Sequence, residues 1–268
     1  MGRRTSLVGM RRIITCQAAC SRRPAIFRAA VAAVAIAMPL SLQAAEVTST
    51  WKGSSGNWTD SSKWLNDPAM LGYPGSTSTL CDVLIVGPNT GFTVTLNTGV
   101  LINALTLDAK DSVLNQTSGK LTLGADSSIT CGSYLLTGGT LAGQGNLLVS
   151  GTLAWNGGDM DAGGKTTIAS AGNLQIAGPY TKSLKRTLDN SGTIAHSESS
   201  IYLQGTLNNL SPGNFTINSG YYYNSGGAFN NAGSFTKAGN AEVRMYAAFN
   251  NTGSVNVQGG ILRLDKGA

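Results

Sequence analysis

One histidine, four cysteines and 13 acidic residues in 268 leave this chain few routes to catalysis. His196 is the lone imidazole, so neither a histidine metal cluster nor a two-histidine mechanism can be assembled. Glu198 could pair with it across one residue of a strand face. A Ser-His-acid triad also needs a positioned nucleophile, and serine is too frequent here to single one out. His196 is therefore expected at the surface. Asp159-Met-Asp161, between Gly157-Gly158 and Gly163-Gly164, is the best carboxylate pair. Two such oxygens on one side of a turn suit Ca²⁺ or a glycosidase pair, and two solvated turn aspartates are the plainer alternative. The calcium-binding nonapeptide Gly-Gly-x-Gly-x-Asp is not reproduced, and no cofactor is implied.

Tyr221-Tyr222-Tyr223 is the other candidate. On a strand, Tyr221 and Tyr223 face one way and Tyr222 the other. With Tyr202 earlier and Tyr246 later by about one repeat, a lateral aromatic strip forms that could stack on sugar rings or on a partner protein. Ordinary packing of large strand residues is the alternative. Of the three arginines after the first 45 residues, Arg244 and Arg263 each lie between two apolar residues. Both should point outward, with no acid cluster beside them.

Charge and cysteine usage narrow the compartment and the partners. The net charge of +6 is misleading, because seven of the 19 basic residues precede Glu46, which leaves 12 against 13 acids. A nucleic-acid partner drawn from basic charge is thereby excluded. Residues 1–45 hold those seven arginines, the apolar run Ala29-Ala-Val-Ala-Ala-Val-Ala-Ile-Ala-Met38, the breaker Pro39 and small residues at Ala44-Ala45. This is the pattern of a cleaved secretory signal, and the run is too short to span a bilayer. No later segment is apolar enough to do so. Cys81 and Cys131 remain after cleavage. At normal coil spacing they stand too far apart to bridge, so two buried thiols are expected, with one disulfide as the alternative.

The elements that must position these residues are short strands. After the leader 33 of 223 residues are glycine and 21 are asparagine, which favours turns and strands over helix. Apolar residues recur with period two in Leu105-Thr-Leu107, Leu121-Thr-Leu123, Leu174-Gln-Ile176, Ile201-Tyr-Leu203 and Val243-Arg-Met245. Such pairs bury one face and leave the other wet. A longer period sits on top. Leu188-Asp-Asn-Ser-Gly-Thr-Ile194, Leu207-Asn-Asn, Phe229-Asn-Asn-Ala-Gly-Ser-Phe235 and Phe249-Asn-Asn-Thr-Gly-Ser-Val255 start 19, 22 and 20 residues apart. A repeat near 20 residues with Asn/Gly corners signals a solenoid, in which stacked asparagines can form a ladder.

The repeat Phe-Asn-Asn-x-Gly-Ser resembles the right-handed parallel β-helix repeats of secreted bacterial surface proteins, including autotransporter passengers. Trp51-Lys-Gly-Ser-Ser-Gly-Asn-Trp58 through Trp64, followed by Tyr73-Pro74-Gly75 and Asp82-Val-Leu-Ile85, resembles the opening segment of such proteins. The resemblance implies cell-surface or extracellular placement and adhesive or structural work. The chain shows no membrane barrel, sorting signal or obvious cell-wall anchor, a departure from the pattern of such proteins that speaks against autonomous surface display and is compatible with a truncated reading frame. The parallel β-helix also hosts pectin-degrading enzymes. Polygalacturonases use an adjacent Asp pair and a Gly-His-Gly segment, and neither occurs here, since His196 sits in Ala-His-Ser. Pectate lyases use several calcium-binding acids with an arginine base, a set this composition does not offer.

The sequence thus predicts an all-β, right-handed parallel β-helix. Residues 1–45 form the signal, 46–81 a Trp-rich cap and 82–268 about nine coils. Trp51, Trp58 and Trp64 are read as covers for the first coil's exposed end, with a sugar-binding platform as the alternative. A β-sandwich or β-prism, with Asn156-Gly157 as a hairpin turn, is the second fold option. The expected function is a structural or adhesive surface module without catalytic activity. Its partners would be extracellular polysaccharide or other cell-surface proteins. The alternative is a carbohydrate-active enzyme or glycan-binding module on the same scaffold.

Overall fold

The computed structural model describes residues 47–87 and 91–266; the expected signal over 1–45 lies outside them. Glycine corners and period-two apolar pairs fold into a parallel β-solenoid with three faces. The first face runs from Cys81–Val86 to Ala248–Asn251 and the second from Thr93–Leu96 to Ser254–Val257. The third is a nine-stranded sheet from Val100–Ile102 to Ile261–Leu264. Each of nine coils contributes to all three, and we number the coils 1 to 9 from the N-terminus. Among the described residues there is no α-helix, only a 3₁₀ turn at Ser61–Lys63.

Equivalent positions stand in register, as stacking requires. Leu207 lies beside Phe229 and Phe229 beside Phe249. The inward members of the apolar pairs, such as Leu105, Leu153, Leu174, Ile201 and Val243, are buried in one continuous core. Phe215, Phe229, Phe235 and Phe249 fill its C-terminal part with ring centroids 5.0–5.6 Å apart. The pairing within the coils is parallel throughout, so the sandwich and prism alternatives fail. Asn156-Gly157 is a corner whose two N–H groups donate to Leu136 O one coil earlier, not a hairpin.

Glycine is required where successive corners nearly touch. A Cβ on Gly164 would overlap the carbonyl of Gly145. The carbonyls of this column accept from Arg186, which is buried and donates through Nε to Gly164 O (2.7 Å) and through Nη2 to Gly145 O (3.0 Å).

The tryptophan cluster is a cap over coil 1. Val47–Trp51 adds a parallel strand to Cys81–Val86 and is itself closed by antiparallel Trp64–Asp67. Gly56–Asn57 does the same for the second face. Trp51, Trp58 and Trp64 are buried, with edge-on ring pairs at 4.8 Å. Their indole N–H groups donate to Ser54 O, Pro74 O and Trp58 O. Burial removes the platform alternative, because no ring face is left for a sugar.

Two asparagine ladders follow the end of the first face. The inner one links Asn190, Asn209, Asn231 and Asn251, each amide nitrogen donating 2.7 Å to the next oxygen. The outer one links Asp189, Asn208, Asn230 and Asn250 at 2.7–2.8 Å and runs the opposite way. Its direction has a cause: the Asp189 carboxylate can only accept, so every amide beyond it points its nitrogen back toward coil 6.

Candidate functional site

Strand register gathers the outward tyrosines on the third face. Ser183 pairs with Tyr202, Tyr202 with Tyr223, and Tyr222 with Met245, which places Tyr246 next to Tyr223. The rings follow: Tyr202–Tyr223 centroids are 5.0 Å apart and Tyr223–Tyr246 5.6 Å apart and nearly parallel. Tyr221 lies in the neighbouring column, 6.2 Å from Tyr223 and 6.4 Å from Tyr246. The strip expected from spacing therefore exists as a cluster of four rings. Tyr222 points inward and is fully buried, with burial holding its hydroxyl well above the usual phenol range.

The arginines belong to the same surface. Arg244 follows Tyr221 in its column, and its guanidinium lies 4.7 Å from the centroid of Tyr246, a cation–π contact. Contrary to expectation, acids do accompany the arginines. Asp265 accepts from Arg244 Nε at 3.2 Å and from Arg263 Nε at 2.9 Å, and Glu242 lies 3.7 Å from Arg244. The signal was present, because Asp265 falls two residues after Arg263 and one coil after Tyr246. The Arg244 and Arg263 hydrogen bonds hold the Asp265 carboxyl below the usual carboxylate range. Shared between two guanidiniums on an exposed face, Asp265 is a fixed charge that locks the arginines, not a poised acid.

Asp159 and Asp161 occur on a strand, Asp159–Gly163, and not in a turn. Both point outward from the same face as the tyrosines. Asp159 Oδ1 accepts the Ser183 N–H at 2.8 Å. Asp161 has Lys185 at 3.4 Å and Lys120 at 4.0 Å. A hydrogen bond from the Ala162 N–H, with the two lysines, keeps its carboxyl below the usual range. Among the described residues no group of three or more His, Cys, Asp or Glu is placed to hold a metal. The Asp159–Asp161 pair thus meets two lysines where a Ca²⁺ site would need further oxygen ligands.

His196 is buried, not exposed. It continues the inward column Ile176–His196–Ile217 at the end of the second face. Its Nδ1 meets the Tyr222 hydroxyl at 2.9 Å, while Nε2 has no partner. Burial, with the nearby Lys182 cation, pushes its pKa down to about 4. Lys182 is itself buried, donating to Tyr180 O and Ser199 Oγ, and burial lowers its pKa to about 8.

The cysteines are both free, Cys81 buried and Cys131 exposed. Cys131 escapes the interior because Ser127–Leu136 runs through a corner, where pairing with Ala104–Gln116 shifts register and the inward-outward alternation slips. Shallow cavities occur elsewhere, one of about 320 Å³ in the cap around Trp64, Asn66 and Met70, another of about 420 Å³ beside Cys131 and Lys110. Neither contains the tyrosines.

The chain matches no known family, no curated protein and no solved structure. Among the described residues no helix is long and apolar enough to cross a membrane.

Proposed function

We propose that this solenoid is a non-catalytic structural or adhesive module of the cell surface or extracellular matrix, and that its tyrosine strip is a contact surface for extracellular polysaccharide. The observation that carries the reading is the cluster Tyr202, Tyr221, Tyr223 and Tyr246 on one outer face, locked at one end by Arg244 and Asp265. Aromatic rings backed by a rigid polar fork suit a sugar, which offers apolar C–H faces and a rim of hydroxyls. The second face supports a surface role of low charge. Its outward strand positions, from Thr93 and Thr95 through Thr152 and Asn173 to Ser254 and Asn256, include no charged residue. A long neutral wall suits weak multivalent contact. The leader's pattern and the likeness of the repeat to bacterial surface proteins support export.

The test is retention of the purified chain on a panel of insoluble polysaccharides. Tyr221→Ala plus Tyr223→Ala should weaken retention roughly tenfold to a hundredfold, at about 0.5–1.5 kcal/mol per ring, with an unchanged circular dichroism spectrum. Equal retention by the double variant would remove the strip from the function.

A further inference from the structure

The tyrosine column ends abruptly toward the N-terminus. Reading back along register, Tyr246, Tyr223 and Tyr202 occupy coils 8, 7 and 6, Ser183 holds the same position in coil 5, and Asp159 holds it in coil 4. Three rings in one column, Tyr246 and Tyr223 stacked and Tyr202 tilted by 30° against Tyr223, are thus followed by a small side chain and then by a carboxylate. Tyr223 covers one face of Tyr202 at 5.0 Å, and Tyr202 is 45% exposed. The other ring face looks over Ser183. Asp159 and Tyr202 are two coil repeats apart, about 10 Å at normal strand spacing. That height fits one further ring, stacked on Tyr202, with its rim within hydrogen-bonding reach of the carboxylate.

We infer that this step above Ser183 receives a single neutral pyranose residue of the bound polysaccharide, stacked on Tyr202 and donating hydroxyl hydrogens to Asp159. The inference rests on the glycan reading of the strip and adds to it a position and a sugar class. Asp159 has one oxygen on the Ser183 N–H and forms no ion pair among the described residues. Its carboxylate accepts and cannot donate, which matches the hydroxyls of a sugar rim. The charged groups nearest in the same sheet are Asp161 and the two lysines that share it, Lys120 and Lys185, so with Asp159 the patch holds two acids and two bases. An acidic sugar would set its carboxylate against Asp159, the carboxylate that borders the step, while Lys120 and Lys185 lie beside Asp161.

The experiment titrates the purified chain by calorimetry with three soluble probes: a β-1,4-glucan hexaose, a β-1,4-mannan hexaose and a hexagalacturonate. The wild type should bind a neutral hexaose and discriminate against the uronate. Ser183→Tyr extends the column into the step and should weaken neutral binding about tenfold, the effect of losing one stacked ring. Ser183→Leu should do the same by occlusion, and Ser183→Ala should leave binding unchanged. Asp159→Asn should narrow the discrimination between neutral and acidic probes. Full binding by Ser183→Leu or Ser183→Tyr, alongside loss in Tyr221→Ala/Tyr223→Ala, would overturn the step and spare the strip. Preference of the wild type for hexagalacturonate would overturn the sugar class. Absence of wild-type binding to all three probes, together with equal retention of the Tyr221→Ala/Tyr223→Ala variant on the insoluble panel, would overturn strip and step together.

Discussion

His196 shows how much a single inward position can do. Thr193-Ile194-Ala195-His196 alternates, so with Ile194 inside, His196 had to be inside as well; that much was legible in the residues. The expectation that it lies at the surface followed instead from its having no metal-ligand or triad partner in the sequence. What no single sequence shows is the partner, the Tyr222 hydroxyl contributed by the next coil. The consequence is a pH dependence with a definite sign. The folded pKa of about 4 lies below the unfolded value of about 6.5. Above pH 6.5 the imidazole is neutral in both states and the fold has its full stability. Between about 6.5 and 4 the unfolded chain takes up a proton that the folded chain refuses, and stability falls by about 3 kcal/mol. Below 4 this residue adds nothing further. Lys182, also depressed, acts between about 8 and 10.5, where stability rises with pH, so the two windows do not overlap. Urea midpoints measured across pH 4 to 7 should slope for the wild type and flatten in His196→Leu. The variant should also lose about 1–3 kcal/mol at pH 7, because the buried Tyr222 hydroxyl loses its partner. An equal slope in both proteins would show that His196 does not titrate as its surroundings demand.

At the level of strands and corners, the C-terminal repeat was legible because Asn-Asn recurs beside an apolar residue at 19-, 22- and 20-residue intervals. Both asparagines of each pair are used, one inside and one outside. The earlier coils were harder to read. Ala104–Gln116 and Ser127–Leu136 carry strand through a corner, and the register slip between Asp108 and Val113 reverses which residues face in. Period two cannot announce where it breaks, which is why Cys131 was misplaced while Cys81 was not. The two ladders differ in what they contribute. Asn209 is buried, accepts from Asn190 and donates to Asn231 Oδ1 (2.7 Å) and Ser234 O (3.0 Å). Asn209→Leu strands a buried donor on Asn190 and leaves acceptors on Asn231 and Ser234 unpaired, at a cost of about 2–4 kcal/mol. Asn250 ends the outer ladder in solvent, so Asn250→Ala should change stability by less than about 0.5 kcal/mol. Chemical denaturation of the two variants reads the difference directly, and similar losses would mean that ladder position, not burial, sets the contribution.

On the scale of the whole molecule, nine coils that touch only their neighbours make stability a local quantity. The two ends are unlike. Coil 1 is covered by Trp51, Trp58 and Trp64 and by the added strands Val47–Trp51 and Gly56–Asn57. In coil 9 the inward columns reach solvent: Val255 is 39% exposed, Val257 49% and Leu264 40%, although their counterparts Phe235, Lys237 and Met245 in coil 8 are buried. Lys237 stands just inside this end, its ammonium donating to Gly239 O and Gly259 O. Amide hydrogen exchange should therefore be graded along the solenoid, fastest in coil 9, slowest in the phenylalanine-filled coils 7 and 8, and slow in coil 1 while the cap holds. Trp58→Ala removes a fully buried ring whose N–H donates to Pro74 O, an expected loss of about 3–5 kcal/mol at that site. In a one-dimensional stack the loss should speed exchange in residues 81–102 and fade within two or three coils, leaving residues 206–245 protected as before. Uniform acceleration over the whole chain would instead mean that the coils unfold as one cooperative unit, and that the cap holds the entire core and not only its own end.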